Sequence, residues 1–152
     1  MCIRDSLKSI YFADKRHLLD FGRRLHDDEY VAMKDGPVGN HAYDLFNDVK
    51  KSRTDRSSFQ IANGQFSVGE DGMTINPLRS FNPETFSDSE ISCLKAAISL
   101  CSQLSFAQLR DLSHDEGYDA ADPNGAMQMD AIIGAMEGGE EALPHLREQG
   151  LV

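Results

Sequence analysis

Between Leu7 and Leu25 the apolar residues Leu7, Ile10, Tyr11, Leu18, Phe21 and Leu25 recur at steps of three and four. That spacing puts them on one face of an amphipathic helix, with Gly22 marking its fraying end. Asp14 falls on the same stripe. An unpaired carboxylate is costly to bury, so Asp14 is expected to accept hydrogen bonds or face a Lys or Arg, fixing packing rather than doing catalysis. The pairs Lys15-Arg16 and Arg23-Arg24, interleaved with Asp20, Asp27 and Asp28, read as a solvated mixed-charge face of this helix.

Downstream, Asp35-Gly36-Pro37 is turn chemistry, and Asn40 offers an N-cap for a second helix over residues 41 to 51 carrying Ala42, Leu45, Phe46 and Val49. The run from Lys50 to Ser58 is polar, basic and without period, which predicts an exposed loop. Phe59 to Ala62 and Gln65 to Val68 alternate apolar and polar around Asn63-Gly64, which predicts a β-hairpin with a type I′ turn. Met73-Thr74-Ile75 could add a third antiparallel strand to make a small meander. Ser87 with Glu90, and Ser105 with Gln108, are capping-box pairs opening two further helices, one through Ile91 to Leu104 and one through Phe106 to Leu112. Beyond the turn at Asp122 to Gly125, Met127, Met129, Ile132, Ile133 and Met136 suggest one more helix, and Pro144 interrupts an acidic tail expected to be partly disordered. The fold class that follows is α+β and mainly α-helical: four or five helices with a small antiparallel β-hairpin or meander.

At 152 residues the chain supports one hydrophobic core. Its net charge of −10 is unevenly placed: residues 1 to 56 hold 11 Lys/Arg against 10 Asp/Glu, and residues 57 to 152 hold 4 against 15. An acidic second part repels phosphates and suits a protein partner with a cationic face. No apolar run approaches the roughly 20 residues that cross a bilayer, and no signal-peptide pattern is present, so the expected location is the cytoplasm with no membrane partner. Cys93 and Cys101 share one helix about 12 Å apart, too far for a disulfide, and with Cys2 they read as reduced thiols.

The five histidines, His17, His26, His41, His114 and His145, fall in no recognised ligand spacing, and no phosphate loop, G-x-S-x-G elbow or Cys/His nucleophile pattern appears. Neither a catalytic centre nor a cofactor is expected. His114-Asp115-Glu116 is the best surviving polar cluster, and a protonated His at a helix C-terminus explains it through the helix dipole. The helix pair over residues 88 to 113 could be taken for a DNA reader, yet residues 88 to 122 carry Lys95 and Arg110 against seven acids, so nucleic acid is a poor partner.

Three separated segments resemble one family. Tyr11-Phe12-Ala13-Asp14-Lys15-Arg16-His17-Leu18, then Tyr30-Val31-Ala32-Met33-Lys34-Asp35-Gly36-Pro37-Val38, then Leu112-Ser113-His114-Asp115-Glu116 are similar to the motifs of the Panacea domain, the SocA-like antitoxins of bacteria and phages. The resemblance implies an antitoxin that binds a protein toxin, the cognate toxin being encoded by a neighbouring gene. It also implies two modes, occlusion of the toxin or delivery to a cellular protease. The implied motif residues, structural or partner-binding, are Tyr11, Asp14, Lys15, His17, Leu18, Tyr30, Lys34, Gly36, Pro37, Val38, Leu112, His114 and Glu116. The alternative is a DNA-binding regulator using the 88 to 113 helix pair. The expected layout is a Panacea-like region over residues 7 to 122 with a C-terminal helix and acidic tail of the same domain over 123 to 152. Residues 1 to 6, Met-Cys-Ile-Arg-Asp-Ser, translate from a transposon-end adapter used in sequencing libraries, are expected to be an artefact, and are set aside.

Overall fold

The structure, a computed structural model, describes residues 1 to 152. Helix α1 (Ile3–Phe21) runs through the centre and packs along α4 (Asp88–Gln103). Around this pair lie β1 (Tyr30–Met33), β2 (Gly36–Gly39), α2 (Asn40–Lys50), α3 (Ser57–Ala62), β3 (Phe66–Val68), β4 (Ile75–Pro77), α5 (Phe106–Ser113), α6 (Glu116–Asp119), α7 (Met129–Gly134) and α8 (Gly139–Glu148). The fold is α+β and mainly helical as expected, with eight α-helices rather than four or five. The helix expected around Ile132 and Ile133 is α7; the surplus is α3 and α6, short pieces that the 3.6-residue period cannot resolve, and α8, which falls where an acidic tail was expected.

The main core joins Tyr11, Phe12 and Ala13 of α1 to Tyr30 and Ala32 of β1, to Cys93, Ala97 and Cys101 of α4, and to Leu109, Met127 and Ile132. A second cluster joins Leu18 to Ile133, Leu143 and Leu146, with Leu151 and Val152 packed against it. The stretch around Pro144 is therefore helix α8, not a disordered tail. Burying Leu143 and Leu146 outweighs the one backbone bond that Pro144 cannot donate.

Strands β1 and β2 form an antiparallel hairpin in which Tyr30 faces Gly39 and Met33 faces Gly36. The turn expected over Asp35-Gly36-Pro37 is displaced toward the N-terminus. Only Lys34 and Asp35 turn, while Gly36 and Pro37 are buried strand residues. On its other edge β1 binds the segment after the Asp122 turn: Ala32 N–H donates to the Gly125 carbonyl and Met127 N–H to the Tyr30 carbonyl, at 3.0 and 2.8 Å.

The predicted hairpin over residues 59 to 68 is wrong. Phe59 to Ala62 belongs to helix α3, and β3 pairs instead with β4, Val68 facing Ile75. Asn63-Gly64 does hold a positive φ, +80° at Gly64, but it links a helix to a strand. The helix wins because the Ser58 hydroxyl bonds the buried Asp48 carboxylate and Ala62 is buried, while Phe66 packs on Phe46 of α2 with ring centroids 5.2 Å apart. Both capping boxes are present as read, at Ser87 with Glu90 and Ser105 with Gln108. Gly22 closes α1 in the left-handed conformation.

Candidate protein-binding site

Asp14 is almost wholly buried on α1 and satisfied as expected. Its Oδ2 accepts from Arg24 Nη2 at 3.1 Å and from the Tyr30 hydroxyl at 3.0 Å, and its Oδ1 from Leu25 N–H at 2.7 Å. One carboxylate thus ties α1 to the following loop and to β1. Burial, with the Asp14 charge beside it, holds the Tyr30 hydroxyl well above the ordinary tyrosine range. Arg24 also donates to the Asp28 carbonyl. Arg24 therefore points inward, against the expectation of a solvated face.

Asp28 replaces the expected cap at Asn40. Its Oδ1 and Oδ2 accept from His41 and Ala42 N–H at 2.9 and 3.0 Å, satisfying two free amides at the start of α2. Asn40 is itself the first helical residue, and the N-cap position belongs to Gly39, where a Cβ would overlap the Asp28 carboxylate.

On the other side of α1, Lys15 Nζ donates to Asp115 Oδ2 at 3.0 Å and lies over the Tyr11 ring, 4.7 Å from its centroid. Lys15 too is buried rather than solvated. Only Arg16 and Arg23 of the two basic pairs stay on the surface, bonded to Asp20 and Glu90. Asp115 caps α6 through Tyr118 N–H, and the Tyr118 hydroxyl donates to the Met33 carbonyl at 2.9 Å. His114 stacks on Tyr118 with centroids 4.0 Å apart. Burial, then the nearby Lys8 and Arg110 charges, pushes the His114 ring below the usual histidine range. The neutral ring is favoured, so the dipole-stabilised cation read from sequence is corrected: burial and two cations outweigh the helix end.

Lys8 Nζ donates to Ser113 Oγ at 2.8 Å, and that hydroxyl donates to the Arg110 carbonyl at 2.9 Å. A Cβ at Gly36, whose φ is +101°, would overlap both Lys8 Nζ and Ser113 Oγ. His17 Nδ1 donates to the Arg23 carbonyl at 2.6 Å and its Nε2 faces Ser89 Oγ at 3.0 Å, fastening α1 to the start of α4.

Nine of the thirteen motif residues, Tyr11, Asp14, Lys15, His17, Leu18, Tyr30, Gly36, Pro37 and Val38, are buried and make this internal frame. His114 is half-buried at its edge, and Lys34, Leu112 and Glu116 are exposed. Sequence reasoning missed Lys8, Arg24, Asp28, Ser113 and Tyr118. A visible signal existed for Lys8, which stands three residues before Tyr11 and seven before Lys15 on one helical face.

Above the frame lies a groove of about 420 Å³ between α1, α4, the end of α5 and the end of α7. Phe12, Ala96, Leu100, Leu112 and Met136 give it an apolar lining, with Glu137 and the Lys15–Asp115 pair at its sides. Lys15 and Leu112 are the motif residues that reach it. No helix is long and apolar enough to cross a membrane.

A family model described as the SocA-like antitoxin, Panacea domain, matches residues 7–118. No curated protein and no solved structure matches the chain.

Proposed function

This chain belongs to the SocA-like antitoxin family of Panacea domains, and from that premise we propose that it neutralises a protein toxin by binding it directly. The observation that carries the reading is the division of labour between frame and groove. The motif is mostly spent inside, with Asp14 holding α1 to the following loop and to β1, and Lys15 holding it to the start of α6. What it leaves on the outside is an apolar groove of about 420 Å³. A contiguous apolar recess rimmed by polar groups is the kind of surface proteins use for partners.

Binding without chemistry is the better-supported mode. The one nucleophile-like pair, Lys8 with Ser113, is sealed from solvent, the serine wholly so. Its hydroxyl already donates to Arg110, and no substrate can reach it. The partner in this reading is a toxin encoded by the adjoining gene of a bacterial or prophage pair, met in the cytoplasm. Occlusion of the toxin is the mode the groove supports. The DNA-reader alternative has less support, because Arg110 is engaged with Asp111 at 3.2 Å and Lys95 would face a duplex almost alone.

Co-expression tests the reading. The adjoining reading frame should arrest growth when expressed alone and permit it when this chain is present. A harmless neighbour, or arrest that this chain does not relieve, would overturn the assignment.

A further inference from the structure

We propose that the groove receives a short segment of the partner in which apolar side chains stand next to a Lys or Arg, the cation lying against Glu137. For the partner's identity as a toxin, this rests on the antitoxin reading.

The apolar half of the requirement comes from the lining, since Phe12, Leu100, Leu112 and Met136 offer only carbon and sulfur to whatever enters. The basic half comes from counting which charges around the groove are already compensated. Lys15 is held by Asp115 at 3.0 Å and Arg16 by Asp20 at 2.6 Å. Glu137 is exposed and pairs with no cation. Lys95 does not supply one, because at about 100° per residue it stands on the far side of α4 from Ala96, Ala97 and Leu100. The wider field has the same sign: from Asp88 to the C-terminus the chain holds 12 Asp/Glu against 3 Lys/Arg.

The same observations argue against the other occupants. Leu151 and Val152 are packed on the Leu18–Ile133 cluster and do not line the groove. A second copy would bring another net charge of −10 toward an acidic surface, and a nucleic acid would bring phosphates. A cationic apolar segment gains at both places, by burying carbon in the groove and by meeting an unpaired carboxylate at its edge.

The experiment pans a random phage-displayed peptide library on the full chain, then measures the enriched peptides by fluorescence polarisation. Enriched peptides should combine apolar residues with Lys or Arg. Ala96→Trp fills the groove and Leu112→Glu puts a charge in it, both at exposed positions, and each should weaken binding roughly tenfold or more, the scale of one lost buried side chain. Glu137→Lys should weaken it roughly three- to tenfold at low salt and less at high salt. Circular dichroism of each variant reports that the fold is kept. Acidic peptides, no enrichment, or Ala96→Trp binding as tightly as the parent overturns the proposal. Growth rescue separates it from the antitoxin reading. If Ala96→Trp rescues as fully as the parent chain, the groove is wrong and the antitoxin reading stands. If the parent fails to rescue while basic apolar peptides bind the groove, the groove chemistry stands and the toxin assignment falls.

Discussion

Asp14 Oδ2 and Arg24 Nη2 stand 3.1 Å apart, the carboxylate almost wholly buried and the guanidinium mostly so. Because the same carboxylate also receives the Tyr30 hydroxyl and the Leu25 amide, removing it strands three donors at once. Asp14→Ala should cost about 3 to 5 kcal/mol, the range for breaking a buried pair from one side. For a chain of this size that is a fall in Tm of about 10 °C or more, read by circular dichroism. Arg24→Ala in the Asp14→Ala background should cost much less than it does alone. Additive losses would mean that the pair is not a unit.

Gly36 is constrained twice, by a φ of +101° and by the atoms of Lys8 and Ser113 where a Cβ would go. Gly64 has φ +80° and open space around it. Gly36→Ala should therefore cost about 2 to 4 kcal/mol, from overlap added to backbone strain, and Gly64→Ala about 1 kcal/mol, from strain alone. Equal losses in urea melts would remove the argument that close approach selects the glycine of the second motif segment.

Lys8 is buried with a hydroxyl rather than a carboxylate as its partner, and burial pushes its amine down to about 8 from 10.5, the Asp35 charge only partly opposing. The folded state therefore binds this proton less tightly than the unfolded chain. The cost is fully present below pH 8 and fades as pH rises from 8 toward 10.5. Lys8→Met should be the more stable protein at pH 7, by about 2 kcal/mol after allowing for the lost hydrogen bond. The difference should shrink between pH 8 and 10.5. Paired denaturant melts across that range check it, and a gap that stays constant or widens with pH refutes the sign.

Asp28 caps α2 from outside the helix. Asp28→Ala should cost about 1 to 2 kcal/mol and speed amide exchange at His41 and Ala42 before the rest of α2. Asn40→Ala should change that exchange little, since Gly39 is the N-cap and no side chain of α2's own flank bonds these amides.

These relationships mark what the sequence could and could not convey. The capping boxes at Ser87 and Ser105 were legible because donor and acceptor lie three residues apart. Asp14's need for partners was legible from one carboxylate on an apolar stripe. Arg24, Asp28 and Asp115 as partners were not, because each pairing depends on how the loop after α1 folds back onto α1 and α2 and how α1 meets the start of α6. The Asn63-Gly64 turn misled for a related reason: a dipeptide fixes where φ turns positive, while burial of Ala62 and the Ser58–Asp48 bond decide what precedes it. The groove was invisible as such, since Phe12, Leu100, Leu112 and Met136 come from α1, α4, α5 and the turn after α7.

The central claim is that this fold acts by holding a protein partner. Calorimetric titration of the purified chain with the product of the adjoining reading frame tests it most directly. A stoichiometric complex that abolishes the partner's toxicity, and that Ala96→Trp weakens, is the predicted result. A toxic partner that shows no heat of binding and keeps its full activity beside excess chain would contradict the account.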